Sequence, residues 1–137
     1  TLEVCAGYLG TDVLPDLLAS FSDESEDVRF TAARMFGRAR SLSVHALVRA
    51  ASDHLGEKPF LEAATRALEG AGHGVAASLA RVALLANDKE QDAIAALLKP
   101  SHGLCSATVR MLSARIASET TDTTRAEAFC ARLEGFL

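Results

Sequence analysis

Tryptophan is missing from this 137-residue chain, tyrosine occurs once, and six phenylalanines supply nearly all the aromatic bulk. A basic surplus is missing too. The formal charge is −4, which excludes the broad positive surface that bulk electrostatic binding to nucleic acid needs. Cysteine is sparse and odd in number. Cys5, Cys105 and Cys130 lie far apart, so they form no disulfide framework. Each falls in an apolar helical pattern, where a free thiol acts as a small hydrophobe. That usage predicts a reducing compartment and hence an intracellular, cytoplasmic location, with the nucleus left open. No apolar run approaches the roughly 18 residues needed to span a membrane, and no stretch resembles a signal peptide. No membrane partner is expected. No segment alternates apolar and polar residues over strand length, which excludes a sheet. The chain opens at Thr1 in residues that already look helical, and the expectation is a fragment of a longer protein.

What is present is helix. Nearly half of the residues are apolar and about a quarter are charged, the balance of a folded domain. Val28, Ala32, Met35, Phe36 and Ala39 recur at helical spacing and predict one buried face. The chain divides at its prolines, glycines and polar clusters into nine expected helices. They run from Leu2 to Leu9, from a cap at Thr11 or Asp12 to Phe21, and from Glu26 to Ala39. The next run from Ser41 or Ser43 to Asp53, from Pro59 to Leu68 or Ala71, and from Val75 to Ala86. The last three follow "NDKE" to Lys99, span Leu104 to Ala117, and span Arg125 to Leu137. In "SDESEDVRFTAARMFGRA" (residues 22–39), Ser25 is the expected cap. Glu26 and Asp27 then occupy the first turn, where carboxylates complement the helix dipole.

Catalytic and metal-binding patterns are thin. His45, His54, His73 and His102 are scattered, and His102 with Cys105 makes only half of a zinc site. No cofactor and no metal is expected. "GAGHG" (residues 70–74) lacks the Lys-Ser/Thr ending of a phosphate loop. No nucleophile, base and orienting group come together, so the chain is not expected to be an enzyme.

The sequence does repeat. "LPDLLASFSD" from Leu14 matches "VHALVRAASD" from Val44, an offset of 30 residues. "FTAARMFGRA" from Phe30 matches "EAATRALEGA" from Glu62, an offset of 32. "SATVRMLSARIA" (residues 106–117) is a weaker echo in which Arg110 takes the place of Arg34. The unit is helix, turn, helix, turn. On "LPDLL" with Pro15, Asp23 in the turn, "DVR" and "AARMFG", the stretch from Leu14 to Ala39 resembles the HEAT repeat. The shorter period resembles the HEAT-like units of phycobilin lyase-type proteins. The resemblance implies an all-α, right-handed solenoid of helical hairpins, an armadillo-like stack about four repeats long. The units fall at 1–10 (partial), 11–40, 41–72, 73–100 and 101–137 of a single domain. It also implies that Asp23 and Arg29 act as struts between adjacent repeats. In the second unit Leu61 stands near the position of Arg29.

Second helices line the concave side of such stacks. Phe30, Arg34 and Gly37 point away from the expected core face, with Arg38 beside them, and Glu62 and Arg66 hold the equivalent positions one unit on. Phe30, Arg34, Arg38, Glu62, Arg66 and Arg110 are therefore the candidate partner-binding residues. Forked arginine donors around an apolar anchor suit an acidic or amphipathic peptide. The expected function is a non-catalytic protein-interaction or scaffold module. The alternative is an accessory subunit resembling the phycobilin lyases, which requires a deep cleft. A nucleic-acid-binding HEAT protein related in shape to the alkylpurine glycosylases runs against the acidity and the missing tryptophan. Phe129, Leu133, Phe136 and Leu137 share one side of the last helix. That side could cap the stack, or meet a continuation of the chain or a second copy.

Overall fold

The computed structural model describes residues 14–38, 44–71 and 74–137, apart from the side chains of Leu14 and Arg38. The expected helix from Leu2 to Leu9 and the caps at residues 11, 12, 41 and 43 lie outside these residues. Among the described residues the structure is all helical, with eight helices and no strand. They are α1 (Leu14–Ser20), α2 (Glu26–Arg38), α3 (Val44–Asp53), α4 (Lys58–Glu69), α5 (Val75–Leu85), α6 (Asp88–Leu98), α7 (His102–Ser118) and α8 (Thr124–Glu134). None is long and apolar enough to cross a membrane.

Local chemistry sets the helix starts. Ser25 Oγ accepts from the Val28 N–H at 3.4 Å, and Asp23 Oδ1 accepts from the Ser25 N–H at 2.8 Å. Glu26 and Asp27 occupy the first turn of α2. The acidic cluster is thus a turn and a helix start, as the spacing predicts. Pro59 stands in the first turn of α4, where a missing N–H costs nothing. Asn87 and Glu90 form a reciprocal capping box at α6. Asn87 Oδ1 accepts from the Glu90 N–H at 2.8 Å, and Glu90 Oε1 accepts from the Asn87 N–H at 3.0 Å.

Packing has a regular order. α1 packs on α2, α2 on α4, α4 on α6 and α6 on α8, while α3 packs on α5 and α6, α5 on α7, and α7 on α8. An aromatic knot ties the first hairpin to the second. Phe21, Phe36 and Phe60 are fully buried. Phe21 meets Phe36 edge-on at 5.9 Å and Phe60 at 5.6 Å, and His54 stacks on Phe60 at 4.3 Å. Burial of each ring contributes about 1.5–3 kcal/mol. Two hydroxyl contacts join α4 to the next hairpin and the turn after it. Thr65 Oγ1 donates to the Leu97 carbonyl at 3.0 Å, and Ser101 Oγ donates to Glu69 Oε2 at 3.0 Å. Both span 32 residues. The Thr65 bond satisfies a carbonyl at the end of α6, where no helical N–H remains to do so.

α2 departs from the single face expected for it. Val28 is 40% exposed, although its spacing predicts the core side. Gly37, expected away from the core, lies in the seam with α4. The reason is that α2 packs on two neighbours, α1 and α4. Its buried residues are Ala32, Ala33, Met35 and Phe36, so the covered arc is rotated and widened away from Val28. A Cβ at Gly37 would stand 3.0 Å from the Ala67 carbonyl oxygen and 3.2 Å from the Gly70 carbonyl carbon. Glycine here permits backbone contact between the two hairpins.

Two substitutions test these contacts. Gly37→Ala should destabilise the fold by about 1–3 kcal/mol through overpacking, less the up to about 1 kcal/mol gained in helix propensity. Urea unfolding that finds the variant as stable as the parent would contradict the close seam. Asn87→Ala should cost about 0.5–2 kcal/mol in the same assay, and no loss would mean the capping box is not formed.

Candidate functional site

The α2–α4 seam builds a surface hollow directly beside it. Phe30 lies on the same side of α2 as Ala33 and Gly37, so the approach of α4 brings Arg66 over its ring. The Arg66 Cζ stands 3.9 Å from the Phe30 centroid, within cation–π range. The hollow is about 460 Å3, with Asp27, Phe30, Arg34 and Arg66 on its walls and Gly70 at its end. Arg34 and Arg66 are exposed, and Phe30 is half-buried. Phe30 is therefore not an open aromatic anchor. Its face is covered by the long-stemmed Arg66 cation.

The six candidate residues do not all converge. Phe30, Arg34 and Arg66 share the hollow. Glu62 is exposed on α4, and among the described residues it makes no ion pair with Arg66. Arg38 closes α2, but its side chain lies outside the described residues. Arg110 is exposed on α7, whose main partners are α5 and α8. It sits on the first helix of its hairpin, so its sequence match to Arg34 does not carry it into the same row.

Asp23 and Arg29, expected as struts between repeats, act within one hairpin instead. Arg29 Nη1 donates to the carbonyls of Asp23 at 2.8 Å and Glu24 at 3.2 Å. Its Nε is buried without a partner. The Asp23 carboxylate is taken up by the Ser25 N–H. The turn lies one helical step away, so the guanidinium closes on it before it can reach a neighbour.

The scattered histidines also find plain roles. His54 Nδ1 pairs with the Glu57 carboxylate beside Phe60. His102 is exposed while Cys105 is buried, so the two do not face a common ion. His73 and Cys5 lie outside the described residues. Cys105 donates to the Leu133 carbonyl at 3.5 Å, and burial pushes its thiol pKa up. Cys130 contacts the Ser113 hydroxyl at 3.4 Å. Both thiols are free and buried. Among the described residues, no three His, Cys, Asp or Glu side chains gather to hold a metal ion. On α8, Phe129 and Leu133 are buried within the chain, while Leu137, beyond the end of α8, is half exposed.

A second hollow, of about 390 Å3, was not visible in the sequence. Val44 and His45 of α3 face Ser78, Arg81, Val82 and Leu85 of α5, with Glu90 at one end. The spacing of 78, 81, 82 and 85 is the one signal that could have found it. These residues form a stripe on the side of α5 away from its buried Ala76, Leu79, Ala80 and Ala83. His45 Nε2 bonds Glu90 Oε2 at 3.2 Å across the end of this hollow.

No family model, curated protein or solved structure matches this chain.

Glu90 supplies a pH test. The Asn87 N–H, then His45 and Arg49, hold its carboxyl below the usual range against the opposing pull of burial. Its contribution is fully present above the ordinary carboxylate pKa, about 4.3, and is lost as pH falls through its lower folded value. Glu90→Gln keeps the side-chain shape of the capping box but removes this titration. Thermal melts of the variant should therefore fall less steeply with acid below about pH 4.3 than those of the parent. Parallel acid limbs in the two proteins would contradict the pairing.

Proposed function

We propose that this chain is a non-catalytic protein-binding module, built as a right-handed solenoid of HEAT-like hairpins, that takes an acidic peptide at the Phe30–Arg34–Arg66 hollow. The observation that carries the reading is the convergence of two arginines and one aromatic ring from successive second helices on one hollow. The next-but-one packing of α2, α4, α6 and α8 supports a stack of hairpins. So do the side-chain bonds that recur across 32 residues. Arg66 offers forked donors to carboxylates beside the Phe30 ring. The chain as a whole is acidic at −4, so a local basic site on it selects partners by position rather than by bulk charge. Asp27 on the rim disfavours carboxylates at that end and gives the site direction.

Peptides selected by display on the intact protein test this. Acidic residues flanking an apolar one should be enriched among them. Phe30→Ala combined with Arg66→Ala should weaken the selected peptides at least tenfold by fluorescence polarisation, about 1.4 kcal/mol. Unchanged affinity in that double variant would remove the assignment.

A further inference from the structure

We propose that the α3–α5 hollow is a second docking surface, which receives a helical segment of a partner carrying a bulky apolar residue and a carboxylate one turn apart. It goes beyond the Phe30–Arg34–Arg66 reading, since none of its lining residues belongs to that hollow.

Exposure is the first observation. Leu85 is 85% exposed, twice the 42% of Met111 and well above the 49% of Leu137. Leu85 and the half-buried Val82 form a short apolar strip along the hollow, with Val44 buried at 5% beneath it. The hollow is open along this strip, so it suits a chain laid against α5 more than a small molecule, which needs enclosure.

Charge is the second observation. Glu90 is already satisfied at both carboxylate oxygens, by the Asn87 N–H and by His45. Arg81, one turn before Leu85, forms no ion pair or hydrogen bond among the described residues. The hollow therefore presents one unpaired guanidinium beside an apolar strip. Its complement is a carboxylate beside an apolar side chain. Arg81 and Leu85 are four residues apart on α5, about 6 Å along the axis. A helix laid alongside matches them with residues of the same spacing.

The far side of Leu85 sets the direction. Leu85 also walls a smaller hollow of about 280 Å3 that contains Glu119 and Asp122. Arg125 in that hollow is engaged by Asp88 at 2.7 Å. A partner helix is thus steered with its carboxylate toward Arg81 and any cation toward Glu119 and Asp122.

The test uses two Ala-rich helical peptides of about 15 residues, identical except that one carries Glu and the other Lys four residues from a Leu. Each is titrated into the isotope-labelled intact protein and followed by amide chemical shifts. The Glu peptide should move Val44, Arg81, Val82 and Leu85, and bind at least tenfold more tightly than the Lys peptide. Arg81→Glu should invert that preference, and Leu85→Ser should weaken both peptides. Arg81 and Leu85 are exposed, so unchanged circular dichroism should confirm that both variants fold. Equal binding of the two peptides, or an unchanged preference in Arg81→Glu, would overturn the proposal. So would shifts confined to Phe30, Arg34 and Arg66. Self-association of the parent in sedimentation that Leu85→Ser abolishes would assign the strip to a second copy instead, and overturns it equally. The Phe30→Ala, Arg66→Ala double variant should leave this titration intact, which separates the two sites.

Discussion

The close approach of α2 and α4 is the constraint on which the rest depends. Gly37 lies where a side-chain carbon would press on the Ala67 and Gly70 backbone. The missing side chain lets the second helices of neighbouring hairpins touch. That contact covers Ala33 and Ala67, places the Phe30 ring under Arg66, and keeps Phe21, Phe36 and Phe60 in one knot. Small residues do the same elsewhere. Ala63, Ala64, Ala80, Ala83 and Ala93 are all fully buried. Alanine fills little volume, so helices of modest length can meet closely without a large aromatic core.

Polar groups then fix the register. Thr65 commits its hydroxyl to the end of α6 and Ser101 commits its own to Glu69 at the end of α4, and such bonds contribute about 0.5–1.5 kcal/mol each. The outer ties, Arg125 to Asp88 and Arg132 to Asp92, are exposed and contribute little. The core and the buried bonds, rather than the surface ion pairs, hold the helices together.

The helices were legible in the sequence because their signals are local. Ser25, Pro59, Asn87 and Glu90 act on atoms within a turn of themselves, so their roles can be read from spacing. What escaped is relational. Val28 and Gly37 were misplaced because a helix touching two neighbours has no single buried face, and spacing alone does not say where the second neighbour lies. Arg29 was expected to bridge repeats, yet the nearer carbonyls of its own turn capture it. Arg110 resembles Arg34 in local sequence but stands on the other member of a hairpin. The Leu85 strip escaped because "VAASLARVALL" (residues 75–85) is apolar on most sides, and only packing reveals which leucine is left outside. Phe30, Arg34 and Arg66 were legible as a group because the repeat offset places them one unit apart. That Arg66 covers the ring required the structure.

A thermodynamic double-mutant cycle on Phe30 and Arg66 reads this packing directly, because the close approach of α2 and α4 is what brings these two side chains together. Unfolding free energies of Phe30→Ala, Arg66→Ala and the combined variant isolate their coupling. A favourable coupling of about 0.5–1 kcal/mol is expected, the range for an exposed cation–π contact. Strictly additive losses would contradict it, since α2 and α4 would then not meet as described.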